Sequence, residues 1–107
     1  CDHEAFMKKR ACGWPHYFYY YGAPDAKELE VVRYYDTANF ARCLTVPGWF
    51  SWGYNDDVCP PTSMYAAYNA VTSPKELHPY LETGHYWYRE QWDEWLAWLW
   101  KQMGIGK

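Results

Sequence analysis

From Gly48 to Leu81 the chain runs through GWFSWG, YNDDVC, PPTSMYAAYNAV and ELHPYL, and that order leaves little choice of topology. GWFSWG is a compact apolar run bounded by glycines and predicts a buried strand of about six residues, Gly48–Gly53. Pro60-Pro61 then suits the start of a helix, where a missing N–H costs nothing. Thr62–Val71 follows as that helix, with Met64, Ala67, Tyr68 and Val71 on one stripe. Ser73-Pro74 stops it, and Glu76–Leu81 predicts a second strand, weak or irregular at Pro79. Strand, helix, strand is the parallel crossover unit, so the fold class is α/β. In such a unit the loops after both strands open on one edge of the sheet, the edge where doubly wound folds keep their sites.

The rest of the chain attaches helices to this unit. Glu4–Ala11 predicts a helix ended by Gly13-Trp14-Pro15, and WPHYFYYYGAP, from Trp14 to Pro24, predicts an aromatic loop or irregular segment. Asp25 caps a helix through Tyr35, and Asp36 caps a short one over Thr37–Cys43. The clearest helix is the last, Arg89–Met103, where Trp92, Trp95, Leu96, Leu99 and Met103 recur at helical spacing. A tryptophan stripe of this kind is expected to pack on a sheet rather than to stack on sugars.

Charge and composition remove several function classes. A net charge of −3, with no basic cluster larger than Lys8-Lys9-Arg10, argues against a nucleic-acid partner. The apolar runs at Phe18–Tyr21 and Trp95–Trp100 are far shorter than the ~20 residues that span a bilayer, so no membrane partner is expected. The opening CDHEAFMKKR lacks the basic-then-apolar pattern of a secretory signal. Cys1, Cys12, Cys43 and Cys59 show no C-x-x-C and no paired Cys/His spacing, so free thiols are expected and neither a metal site nor another cofactor. Aromatic residues make up 22% of the chain, more than a small core uses, which predicts aromatic surface available to a sugar or to protein.

Asp56 lies in the loop after the first predicted strand and His85 in the loop after the second. If the strands are neighbours, about 4.8 Å apart, the two side chains can meet. An aspartate that accepts a hydrogen bond from an imidazole fixes its tautomer and stabilises the imidazolium formed when the ring takes a proton from a serine. Gly84-His85, after a strand and before the final helix, is the arrangement expected of an α/β-hydrolase.

GYNDDVCPPTSMYAAYN, followed by PKE and TGH, with YYDTANFA upstream, resembles the C-terminal part of the acetyl xylan esterase and cephalosporin-C deacetylase family of α/β-hydrolases. The resemblance runs roughly from Asp25 to Met103 and rests chiefly on Cys-Pro-Pro combined with Ala-Ala-Tyr-Asn. It implies that Asp56, three residues before Cys59, is the catalytic acid and His85 the catalytic base of a serine esterase acting on acetylated carbohydrate. It also implies homo-oligomers. Asp57 is then a solvated neighbour, favourable near the positive end of the next helix. Trp14, Tyr86 and Trp87 are candidates for lining an acyl or sugar pocket.

The sequence departs from the family at the nucleophile. There is no Gly-x-Ser-x-Gly; Gly48-x-x-Ser51-x-Gly53 has the wrong spacing, and Ser63 and Ser73 sit at helix ends, where capping explains them. His3, His16 and His78 fit structural roles. The expectation is therefore that residues 1–107 form the C-terminal fragment of an α/β-hydrolase domain, incomplete as a fold, inactive alone, with the serine in a missing N-terminal part. The competing reading is a non-catalytic, aromatic-rich module that binds carbohydrate or protein.

Overall fold

The computed structural model describes residues 1–106; Lys107, the end of the expected 1–107 unit, lies outside the described residues. After a 3-10 helix at His3–Lys8 the elements are α1 (Tyr17–Tyr21), α2 (Ala26–Val32), α3 (Thr37–Ala41), β1 (Gly48–Phe50), α4 (Pro61–Ala70), β2 (Lys75–Leu77) and α5 (Arg89–Met103). β1 and β2 pair in parallel, Gly48 opposite Lys75 and Phe50 opposite Leu77, with α4 as the crossover.

Both strands are shorter than their apolar runs suggest, because regular pairing gives way after three residues, yet the ladder continues as single bonds. Tyr80 donates its amide to the Trp52 carbonyl at 3.0 Å, Tyr54 returns one to Tyr80 at 3.0 Å, and Gly53 bridges Tyr80. His78 and Tyr80 both face β1, so the nitrogen of Pro79 between them points to the outer side, where its missing N–H disturbs nothing.

Side chains alternate along the first strand. Phe50 and Trp52 meet Tyr65 and Tyr68 of α4 edge-on, whereas Trp49 and Ser51 face the other way, Trp49 stacking on His78 and Ser51 bonding the His78 carbonyl. The small apolar core lies between α3 and α4, where Ala41, Ala67 and Val71 are buried and Ala38, Phe50, Ala70 and Cys1 close around them. Alanines on both helices allow that close approach.

Several expectations need correction. The first helix is 3-10, not α, and ends at Lys8; the left-handed backbone of Lys9 (φ 53°) then turns the chain before Gly13 is reached. The aromatic segment is not all loop: Tyr17–Tyr21 forms a helical turn that buries Phe18. Asp25 does cap a helix, through a capping box with Glu28, but α2 stops at Val32, and α3 stops at Ala41 rather than Cys43. The final helix has the expected bounds but not the expected packing. Gln91 is its buried residue and Trp95, Leu96 and Leu99 are half-buried, while Trp92 is 49% and Met103 61% exposed, so the sheet of this chain covers the stripe only in part.

The molecule is a slab of 54 × 30 × 16 Å with a radius of gyration of 15.6 Å, against roughly 13 Å for a compact domain of this length. Among the described residues no helix is long and apolar enough to cross a membrane, and all four cysteines are free.

Candidate active site

The loop after β1 is built around an aspartate that organises its own backbone. Oδ1 of Asp56 accepts the amides of Val58 at 2.9 Å and Cys59 at 2.7 Å, an Asx turn that delivers the chain to Pro60 and Pro61 at the start of α4. With Oδ1 so engaged, Oδ2 is left to face the second loop. Nδ1 of His85 lies 2.9 Å from it. The carboxylate is an acceptor, so Nδ1 carries the proton and donates, and the lone pair of the ring sits on Nε2.

The two partners differ in access. The side chain of Asp56 is 7% exposed and that of His85 56%, and Nε2 has no hydrogen-bond partner among the described residues. A buried carboxylate thus holds one face of an imidazole whose other face is open. Asp57 projects away, exposed, onto the rim of an apolar hollow of about 840 Å³ between the 3-10 helix and α1, lined among others by Phe6, Met7, Tyr19 and Pro60. Of the adjacent aspartates, only Asp56 reaches the histidine.

Two residues that spacing arguments overlooked bring the loops this close. A Cβ on Gly53 would overlap the carbonyl oxygens of Thr83 and Gly84, so glycine is required where the acid loop passes under the histidine loop. Thr83 is fully buried at that crossing and accepts the Asn55 amide at 3.0 Å. The signal for Gly53 was in the sequence, a glycine closing an apolar strand, but the backbone it approaches lies thirty residues downstream and only the fold reveals it.

The structure does not gather the aromatic candidates around the pair. Trp87 packs on Trp49 and Trp92, ring centroids 5.8 and 4.7 Å apart, which ties the start of α5 to the sheet. Tyr86 is exposed next to His85 and meets Tyr88 edge-on at 5.6 Å. Trp14 is 66% exposed, and no hydrogen bond or ring contact links it to Asp56 or His85 among the described residues.

The chain's three serines are occupied elsewhere. Ser51 donates to the His78 carbonyl and accepts from Gln91, Ser63 is buried and donates to the Pro60 carbonyl, and the Ser73 hydroxyl is buried without a partner among the described residues. The remaining histidines have other surroundings. His3 is buried, His16 bonds the Val58 carbonyl through Nε2, and His78 lies on Trp49 within reach of Glu76 and Glu94.

The sequence pattern of the family described as acetyl xylan esterase (AXE1) matches residues 14–102. Acetyl esterase Axe7A of Xylanibacter ruminicola is 41% identical over 75 residues, which is 70% of this chain and 17% of that protein. Among solved structures, an acetyl xylan esterase from a Paenibacillus species superposes with a TM-score of 0.72 at 24% identity, covering 92% of this chain and 34% of its own. Acetyl xylan esterase 1 from a Thermoanaerobacterium species does so with a TM-score of 0.68 at 29% identity, covering 80% and 28%. The chain therefore spans about a sixth of the curated relative and about a third of each solved structure. These superpositions place its small sheet and helices in the α/β-hydrolase-like fold of those enzymes.

Proposed function

The chain belongs to the acetyl xylan esterase family, and we propose that it supplies the acid and base of a serine esterase that removes acetyl groups from acetylated sugars such as xylan. In this reading Asp56 is the acid, His85 the base, and the nucleophilic serine and the oxyanion donors come from the remainder of the protein. The observation that carries it is the 2.9 Å contact between Oδ2 of Asp56 and Nδ1 of His85, with Nε2 open. The share of its relatives that the chain spans, and the flat shape that leaves Trp92, Trp100 and Met103 of α5 about half exposed or more, support the view that the remainder completes the sheet.

The chemistry follows from the tautomer. Nε2 takes the proton of the serine hydroxyl as its oxygen attacks the acetyl carbonyl, and the buried Asp56 carboxylate stabilises the imidazolium so formed. The same Nε2–H then protonates the departing sugar oxygen, leaving the acetyl group on the serine. A water molecule, deprotonated by Nε2, releases acetate and restores the hydroxyl. Tyr86, exposed beside His85, is proposed to border the acyl or sugar group; Trp87 packs on Trp49 and Trp92, and Trp14 has no hydrogen bond or ring contact with the pair among the described residues. The non-catalytic aromatic module accounts for the exposed aromatic side chains but leaves the joined Asp56 and His85 without a use.

The test is Asp56→Asn in the complete protein. Oδ1 is pinned by two backbone amides, so the new amide must turn its NH₂ toward Nδ1, which then becomes the acceptor and moves the ring proton to Nε2. A base with a proton already on its working nitrogen cannot act, and acetate release should fall by a factor on the order of 10⁴. Asp57→Asn should change it by less than about threefold, because a solvated carboxylate outside the pair adds little to the transition state. Equal losses from the two substitutions would refute the choice of acid.

A further inference from the structure

We propose that Asn55 is a positioning residue, which holds Nδ1 of His85 on the Asp56 carboxylate by clamping the histidine loop to the acid loop; the inference rests on Asp56 and His85 being the working pair of an esterase. The last regular bond between the strands is the one from the Tyr54 amide to the Tyr80 carbonyl. Beyond it the two backbones are free to part, and Asn55 is where they are held. Its amide donates to the Thr83 carbonyl at 3.0 Å, and its side chain Nδ2 donates to the Leu81 carbonyl at 3.1 Å. One residue thus grips the histidine loop at two points, and it stands directly before Asp56 while Thr83 stands two residues before His85.

Apart from the buried Thr83 packed against Gly53, the loop has few other restraints. Leu81 and Glu82 are exposed, Thr83 Oγ1 makes one long bond of 3.4 Å back to Tyr80, and the more than half-exposed His85 ring meets the chain's polar groups only at Asp56 among the described residues. The position of residues 81 to 85 therefore sets the His85–Asp56 distance, and Nδ2 of Asn55 is the only side-chain group of the acid loop that donates to them among the described residues. The chemistry of the pair does not itself demand an asparagine at this place; the reach to Leu81 does.

Hydrolysis of 4-nitrophenyl acetate by the complete protein tests the clamp with Asn55→Ala, Asn55→Asp and Asn55→Gln. Misplacing a catalytic group by about 1 Å costs on the order of 100-fold, and partial loosening should cost about tenfold or more in kcat. Asn55→Ala and Asn55→Asp, which lose the donor, should show that fall with KM within about twofold of the parent. Asn55→Gln keeps an amide donor and should recover most of the rate. If Asn55→Ala does not fold, the contrast between the nearly isosteric Asp and the longer Gln decides. Parent kcat in the donor-less variants, or equal losses in all three, would overturn the proposal. Asp56→Asn and His85→Ala are run alongside: if they abolish turnover while Asn55→Asp does not, the esterase reading stands and only the clamp fails. If they leave turnover intact, both fall.

Discussion

Asp36 does more than the helix cap its sequence position predicts. Oδ1 accepts the amides of Ala38 and Asp2, at 3.0 and 2.9 Å, and Oδ2 that of His3 at 2.8 Å, so one buried carboxylate fastens the N-terminal segment to α3. Burial pushes its pKa up, but the three amides outweigh that and hold it below the usual aspartate value. His3 moves down as well, chiefly through burial, with the positive charge at Cys1 adding to it. For a histidine shifted down, the unfolded state binds protons first, so its contribution is complete above the unfolded pKa of about 6.5 and is lost as pH falls through the lower folded value. For Asp36, the contribution is complete above about 3.9 and is lost as pH falls through its own lower folded value. Urea unfolding should therefore show stability declining on acidification in two steps, the upper one absent in His3→Gln. Asp36→Ala should cost roughly 2–4 kcal/mol at neutral pH, being a cap and two further charge-assisted bonds. A loss below about 0.5 kcal/mol would mean the anchor contributes nothing.

At the scale of elements, Gly53 links strand geometry to the pair. Gly53→Ala drives a methyl group into the Thr83 and Gly84 backbone, and backbone cannot swing aside as a flexible side chain can. The loops must separate, and His85 moves with them. Turnover of the complete protein should fall by about 100-fold or more, with the imidazole Nδ1–H resonance of His85 shifted or lost in proton NMR. An unchanged spectrum and rate would show that the strand ends yield without disturbing the histidine. Elements differed in how legible they were. Helix α5 and the Asp25 cap could be read because their signals are local, a 3.6-residue period in one and a side chain three residues from its amide in the other. The 3-10 geometry of His3–Lys8 could not, since Asp36, which holds its first amides, lies more than thirty residues away. The pairing of Asp56 with His85 was legible from the order strand, loop, helix, strand, loop; the parts played by Gly53, Asn55 and Thr83 were not.

Over the whole molecule, the 107-residue chain joins Asp56 to His85 but leaves its three serine hydroxyls bonded or buried. Purified at verified mass, it should release no acetate above background; turnover lost on His85→Ala would show that one of those serines is the nucleophile after all. The α5 stripe makes the same point about packing. Its tryptophans keep helical spacing, yet Trp92 and Trp100 are about half exposed because β1 and β2 are too narrow to cover a helix of this length.

By itself the sequence determined the parallel crossover, the resemblance to an esterase family and the two residues proposed as acid and base, because each is written in short-range order: periodicity, proline and glycine placement, and a motif of consecutive residues. Tertiary structure decided which aspartate turns inward, which histidine nitrogen it holds, and which residues keep the loops together. Those depend on where two distant backbones cross, and the crossing is set by the parallel ladder, the space left by a missing Cβ at Gly53 and the two bonds of Asn55.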